Sequence, residues 1–478
     1  MSYFSTHNHS SYSNIRGLDA ILRLDEMIQY ANDINLKGIC LTEHEVLSSH
    51  LKFLTEYKKL KDKGKIREDF KVGLGNEIYL VHEDTIEELK ENANNRNPMT
   101  KFYHFLLIAV NVNGHKQLRE LSSLAWGDSF TLFGMERVPT FKSNLKRIIK
   151  RGDVIASTAC AGSFVGQNII RINNSEDENE KEKLKQLNHE FIEFCIDIFG
   201  KDYFYLELQP SNNPEQIVIN KELLIMSKIY GLKYTIATDG HYLRKDDRGA
   251  HRTYLQSQNA EREVDAFYEA TYIQSEDEVR EYLSPYLTDE EIQLGFDGTM
   301  NIYNQIEEYS LERNTIIPTP DIPEYEFEHV LEPAYEQYEY IKKFAFSDFA
   351  IDRYYLHLVQ EGLIDKIINK RKADKEYFHI CLDRINTELR EIWLISEKLQ
   401  ERVSSYYVLV AQIVDLMWTE GDSIVGVSRG SAGGYLTVYL LGIIQMNPLD
   451  YNLPHFRHLT AERPELPDKI LSAMLATA

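Results

Sequence analysis

Two short pairs of metal-capable residues frame the first half of this sequence: His7-Asn8-His9 at one end and Asp239-Gly240-His241 at the other. Alternate residues of an extended strand share a face, so each pair can offer two ligand atoms to one ion, although the same alternation arises without any such purpose. Between the pairs, His44, Glu77, His104 and Cys160 each fall within or at the end of an apolar run. Histidines and carboxylates that merely support a core are seldom gathered at the ends of consecutive strands. The eight together read as metal ligands. Imidazole, carboxylate and one thiol suit zinc, manganese or iron better than magnesium or calcium, and zinc or manganese is the expectation. More than four ligands implies more than one ion. With Glu77 as a bridge, two or three ions would clamp a phosphate and lower the pKa of a bound water, the chemistry of phosphoester hydrolysis.

Residues so far apart meet only if the chain brings strand ends together. Seven β-rich runs, 3–9, 38–44, 71–81, 102–112, 154–160, 203–209 and 233–243, alternate with amphipathic helical stretches. Such a series predicts a parallel β/α barrel, in which the C-terminal ends of the strands converge on one rim. Beyond about residue 275 helical segments dominate, broken by a proline-bearing stretch at 316–329. The expected division is a metal-binding domain over 1–275 and a mostly helical one over 276–478. Near the end of the second, Gly426-Val427-Ser428-Arg429-Gly430-Ser431 precedes a predicted helix, SAGGYLTVYLLGII. Glycine amides, the Arg429 fork and a helix N-terminus could together hold phosphates. The spacing is not that of a P-loop, which argues against a generic ATPase.

Composition narrows the field. The 478 residues are 43% hydrophobic and 11% aromatic, enough to build a core in each of two or more domains. No apolar stretch is long enough for a membrane span, the first residues lack a secretory pattern, and the four cysteines form no disulfide framework, so a cytoplasmic protein without membrane partners is expected. A net charge of -22 argues against non-specific attraction to nucleic acid through the bulk field; contact with DNA would need local basic groups or bound ions. The charged run 173–186 reads as a solvated loop and helix start, and the basic runs 57–67 and 145–151 as solvated helix faces.

The motifs FSTHNHSSYS, CLTEH, GLGNEIYL, HFLLIAVN, STAC and ATDGHYL, in this order, resemble those of the PHP (polymerase and histidinol phosphatase) domain over residues 3–245. The passage from IVGVSRGSAGGYLTVYLL to ERPELPD, with RINTELREIWLI and SSYYVLVAQIVDLMW before it, resembles the palm of family C replicative DNA polymerases, the polymerase III alpha subunits. The resemblance implies a distorted seven-stranded β/α barrel followed by the first part of a palm. His7, His9, His44, Glu77, His104, Cys160, Asp239 and His241 would be the metal positions of the barrel. Ser428, Arg429, Gly430 and Ser431 would contact nucleotide phosphates, and Asp468 would be a catalytic carboxylate for magnesium. The implied activity is template-dependent nucleotidyl transfer in DNA replication, with primed template DNA and dNTPs as partners. A 3′–5′ exonuclease in the barrel is implied as well.

Three departures bear on those expectations. Arg16 stands where the family has an aspartate before the glycine of its first motif, which predicts loss of the ion shared with His44 and His241, because a guanidinium repels a metal. Glu43 stands where T-D-H is usual. Ile470 stands where a second palm carboxylate is expected, and the last residues do not resemble the family, so this chain alone is not expected to extend a primer; a complementary polymerase chain or further C-terminal portion would complete it. Two other readings fit the same residues: a stand-alone metal-dependent phosphoesterase, and a non-catalytic scaffold for the rest of a polymerase.

Overall fold

The computed structural model describes residues 3–15, 17–94, 102–132, 134–257, 268–313, 316–428 and 430–464. The chain divides into two compact units, Met1–Glu312 and Arg313–Ala478.

The first unit is built on a curled sheet. Its strands are β1 (Phe4–Ser5), β2 (Gly38–Leu41), β3 (Lys71–Val81), β4 (Tyr103–Ala109), β5 (Phe130–Leu132), β6 (Met135–Arg137), β7 (Pro139–Phe141), β8 (Val154–Ser157), β9 (Phe204–Leu208) and β10 (Tyr234–Ile236). The main path runs β1-β2-β3-β4-β8-β9-β10, with β7 added to the far end of β3, while β5 and β6 form a separate hairpin. All seven predicted strands are present, but the sheet is mixed and not parallel throughout. β4 is antiparallel to both β3 and β8. That reversal has a consequence for the rim: β4 meets it with its first residues, which is why His104 lies near the start of its strand, whereas Glu77 lies well along β3 and the other candidate ligands follow their strands.

The first and last strands are joined by an isolated parallel bridge between Asn8 and Gly240. His9 N donates to Gly240 O at 2.8 Å and Gly240 N to His7 O at 3.1 Å. The helix Asp289–Gln305 covers this seam. Gly298 allows the approach, since a Cβ there would come within 1.9 Å of the Tyr234 carbonyl, and Phe4 N donates to Thr299 Oγ1. Apolar burial on this helix, through Ile292, Phe296 and Ile302, explains why residues past 275 belong to the first unit. The break therefore falls later than the composition change suggested.

The second unit is helical, with Ala350–Gly362, Lys375–Leu399 and Val403–Thr419 packed through Leu356, Val359, Ile385, Leu389, Ile392, Val403 and Tyr407. The continuous helix predicted from Ser431 is absent. A 3-10 segment covers Gly430–Gly434 and a short helix Leu436–Leu440, which ends as Gly442 turns to a φ of +80°. Two adjacent glycines at 433 and 434 disfavour a helix across the break.

Candidate metal centre

All eight predicted ligands meet at one rim of the sheet. His7 and His9 follow β1, His44 follows β2, Glu77 lies within β3, His104 opens β4, Cys160 follows β8, and Asp239 and His241 follow β10. Three groups have their ligand atoms within 4.8 Å of one another: His9 with His44 and His241, His7 with His9 and Asp239, and His44 with Glu77 and His104. His9 and His44 each belong to two groups, so the groups form one continuous cluster.

Glu77 is the hub. Its Oε1 lies 2.8 Å from His104 Nδ1 and 3.6 Å from His7 Nε2, and its Oε2 lies 2.7 Å from His44 Nδ1 and 3.3 Å from His9 Nε2. β3 can place it so because it is paired on both sides: Glu77 faces Leu106 of β4, and on the other side Glu77 N donates to Glu43 O while Glu45 N donates to Glu77 O. Asp239 Oδ1 stands 3.2 Å from His9 Nε2 and 3.3 Å from His7 Nε2, and its backbone takes a left-handed φ of +49°, which an aspartate tolerates. Cys160 Sγ is 3.3 Å from His104 Nδ1 and 3.8 Å from Glu77 Oε1.

The expected loss at Arg16 is not what the fold delivers. Arg16 itself lies outside the described residues, but Asp19, a short step along the same loop, supplies a carboxylate: its Oδ2 is 2.9 Å from His44 Nε2 and 3.2 Å from His241 Nε2. The loop is shaped for this by Asn14, whose Oδ1 accepts from Asp19 N and Ala20 N. Tyr268 Oη donates to Asp19 Oδ1 at 2.6 Å, and His251 Nε2 donates to the Asp19 carbonyl at 2.6 Å. The sequence signal was an acid displaced from its usual place, legible only once the loop's path is known.

Two further carboxylates support the imidazoles. Glu207, in the middle of β9, accepts from His7 Nδ1 at 2.8 Å, Ser157 Oγ at 2.8 Å and Gln209 Nε2 at 3.0 Å. A glutamate inside FYLEL, an otherwise apolar strand, was the available signal for it. Glu43 takes the Ser10 amide and the hydroxyls of Ser10, Ser13 and Ser49, and Ser13 Oγ meets His9 Nδ1 at 3.0 Å. Glu43 thus faces the 10–13 turn and fixes His9 through Ser13.

Electrostatics sharpen the reading. Burial opposes ionisation of Glu77, yet His104, His44 and His7 outweigh it and hold its carboxyl well below the usual range. Asp19 is partly buried, and His241 and His44 likewise hold it well below against the cost of desolvation. Burial disfavours charge on His7, but Asp239, Glu207 and Glu77 push it well above the ordinary histidine range. Carboxylates packed this closely need compensating positive charge. Glu77 Oε2, Asp239 Oδ1 and His44 Nδ1 are buried without a well-formed hydrogen bond, although Glu77 Oε2 lies 2.7 Å from His44 Nδ1 and Glu77 Oε2 and Asp239 Oδ1 lie 3.3 and 3.2 Å from the same His9 Nε2. Donors of this chemistry, unpartnered and aimed together, fit divalent metal ions.

The centre opens into a pocket of about 430 Å³, lined on one side by ligand residues and on the other by Tyr79, Met135, Arg137 and Tyr268.

Of the predicted phosphate-binding turn, Ser428, Gly430 and Ser431 lie in the second unit, whereas Arg429, Asp468 and Ile470 lie outside the described residues. The expected contribution of a helix N-terminus there is corrected: the Leu436 and Thr437 amides at the start of the short helix are already bonded to the buried Glu388 carboxylate, at 2.7 and 2.8 Å. Ser431 Oγ meets His458 Nδ1 at 3.1 Å, and Tyr407 Oη meets His458 Nε2 at 2.9 Å, a connection that sequence reasoning missed.

Known proteins resemble this chain along almost its whole length. The PHP domain profile matches residues 5–211, and the profile of the bacterial DNA polymerase III alpha NTPase domain matches residues 353–470. A DNA-directed DNA polymerase of Bacillus phage SPbeta is 44% identical over 470 residues, covering 97% of this chain and 36% of the relative. The DNA polymerase III subunit alpha of Aquifex aeolicus is 28% identical over 476 residues, covering 97% of this chain and 35% of the relative. That of Borreliella burgdorferi is 24% identical over 471 residues, with 98% and 34% covered. The chain spans about a third of the length of these relatives.

Proposed function

Since the chain belongs to the DNA polymerase III alpha family and carries its PHP domain, we propose that its first unit holds two or three zinc or manganese ions and hydrolyses the terminal phosphodiester at DNA 3′ ends. The observation that carries this reading is Asp19, which completes the ligand set that Arg16 seemed to break. Ions bound among these residues would supply Lewis acidity and a water of lowered pKa. The protein's own part is positional. Glu77 spans the cluster, and Asp19 and Asp239 close its two sides. Glu207 holds the proton on His7 Nδ1, which turns the Nε2 lone pair inward. The reaction consumes one water and yields a nucleoside 5′-monophosphate and a strand shortened by one residue with a new 3′-hydroxyl.

The second unit we read as the first part of a polymerase palm, with Ser428, Arg429, Gly430 and Ser431 at the incoming nucleotide's phosphates and Asp468 holding magnesium. Nucleotidyl transfer on primed template DNA, in the cytoplasm and together with the remainder of the polymerase, is the activity proposed for the whole protein. No helix among the described residues is long and apolar enough to cross a membrane.

The test is elemental analysis of purified protein combined with hydrolysis of 3′-labelled single-stranded DNA. Bound transition metal and stepwise release of nucleoside monophosphate are expected, with a loss of about a hundredfold or more in Glu77→Gln. Protein that retains its metal but releases phosphate only from small phosphomonoesters would favour a stand-alone phosphatase.

A further inference from the structure

The pocket beside the metal centre is larger than a phosphate requires. Its volume of about 430 Å³ falls within the range of about 300–1,000 Å³ typical of sites for whole small molecules. One wall is the β5–β6 hairpin, which the hydrolytic chemistry does not use. Strand alternation places Met135 and Arg137 on one face of β6, and both line the pocket. Glu136, between them, is exposed, and its Oε1 accepts from Ser129 Oγ at 3.2 Å.

The hairpin is anchored where Arg137 sits. Arg137 pairs with Phe130 across the ladder, the Phe130 ring lies 6.4 Å from Phe102, and the Arg137 guanidinium carbon lies 5.3 Å from the Phe102 ring centroid. Phe102 and Phe130 in turn pack on Val81, Leu89 and Phe141. A guanidinium seated on an aromatic ring keeps its charge and its forked geometry, the form that recognises phosphate. Among the described residues lining the pocket, Arg137 is the one lysine or arginine.

We propose, resting on the reading of the centre as a phosphodiesterase, that Arg137 binds the backbone phosphate next to the one cleaved, so that the hairpin selects oligonucleotide 3′ ends over small phosphate esters. In a chain with a net charge of -22, a local cation of this kind is what a polyanionic substrate needs in order to approach.

The experiment compares wild type with Arg137→Gln and Arg137→Lys. Binding of a fluorescent single-stranded oligonucleotide with hydrolysis-resistant phosphorothioate linkages is followed by anisotropy across a salt series, beside hydrolysis of bis(p-nitrophenyl) phosphate and elemental analysis. Arg137→Gln is expected to weaken oligonucleotide binding about tenfold or more and to lower the slope of log K against log salt by about 0.7, one phosphate contact on a single strand. Arg137→Lys is expected to keep the slope and lose part of the affinity. The loss on the oligonucleotide should exceed that on the small diester at least tenfold. Unchanged oligonucleotide binding, equal losses on both substrates, or loss of metal from Arg137→Gln would each overturn the proposal. A wild type without metal or diesterase activity would instead overturn the reading of the centre.

Discussion

Glu207 Oε1 lies 2.8 Å from His7 Nδ1, with both side chains fully buried. This contact fixes which nitrogen of His7 carries the proton and therefore which one faces the metal cluster. Glu207→Gln keeps the shape but can present its amide to the same nitrogen, so part of the population would hold the wrong tautomer. Metal affinity is expected to fall about 10–100-fold, measured by competition with a chromogenic chelator, while the thermal transition of the chelated protein stays near that of wild type.

Asp19 lies against His44 and His241, two members of one group, whereas Asp239 lies against His7 and His9 of another. Asp19→Asn should therefore remove one ion and leave the others, lowering the metal content by one equivalent in elemental analysis. Glu77→Gln, at the hub, should empty more of the cluster. Tyr268→Phe, which removes a hydrogen bond to Asp19 but no ligand, should retain full metal content with weaker binding of that one ion.

In the second unit, Glu388 accepts from Arg384 Nε, the Leu436 and Thr437 amides and Thr437 Oγ1. Burial pushes its carboxyl up, and the Thr437 amide and Arg384 oppose that. Glu388→Ala leaves the Leu436 and Thr437 amides without their acceptor and removes the carboxylate facing the Arg384 guanidinium, which keeps only the Gly434 and Leu453 carbonyls. The cost should be about 3 kcal/mol, read as a lower denaturation midpoint in urea at unchanged slope.

His458 is packed against Tyr407 and Tyr435, and burial lowers its pKa to about 4. The unfolded chain, with an ordinary histidine near 6.5, binds the proton first. Stability from this group is therefore complete above pH 6.5 and is lost as pH falls toward 4, by at most about 1.4 kcal/mol per pH unit. His458→Gln should flatten that slope by up to one proton, measured by urea unfolding between pH 7 and 4. His50 and His115, paired at 3.0 Å in the first unit and lowered by burial to about 3 and about 4, should add to acid sensitivity in the same direction.

The eight candidate ligands were legible because each lies on, or a few residues past, a regular strand whose apolar pattern marks it in the sequence, and convergence at a rim follows from the β/α series. What depends on loops was not. Asp19 could not be separated from any other surface acid without knowing that Asn14 turns the chain back toward His44. β5, β6 and β7 are three residues each, too short for alternation to show. The reversal of β4 also left no mark, since a buried strand reads the same in either direction. In the second unit the turn residues were visible, but the long-range claim of Glu388 on the Leu436 and Thr437 amides was not.

The seam of the curled sheet gives the centre a second consequence. His7 and His9 stand on one side of it and Asp239 and His241 on the other, residues from opposite reaches of the first unit joined along the backbone by the Asn8–Gly240 bridge. An ion held by both sides is a cross-link closing a very long loop, and like any such link it draws its effect from the entropy denied to the open chain. Chelation would then act as an unzipping agent. The Asp289–Gln305 helix laid over the seam would be the first element to exchange its amide protons, long before the strands beneath Glu77.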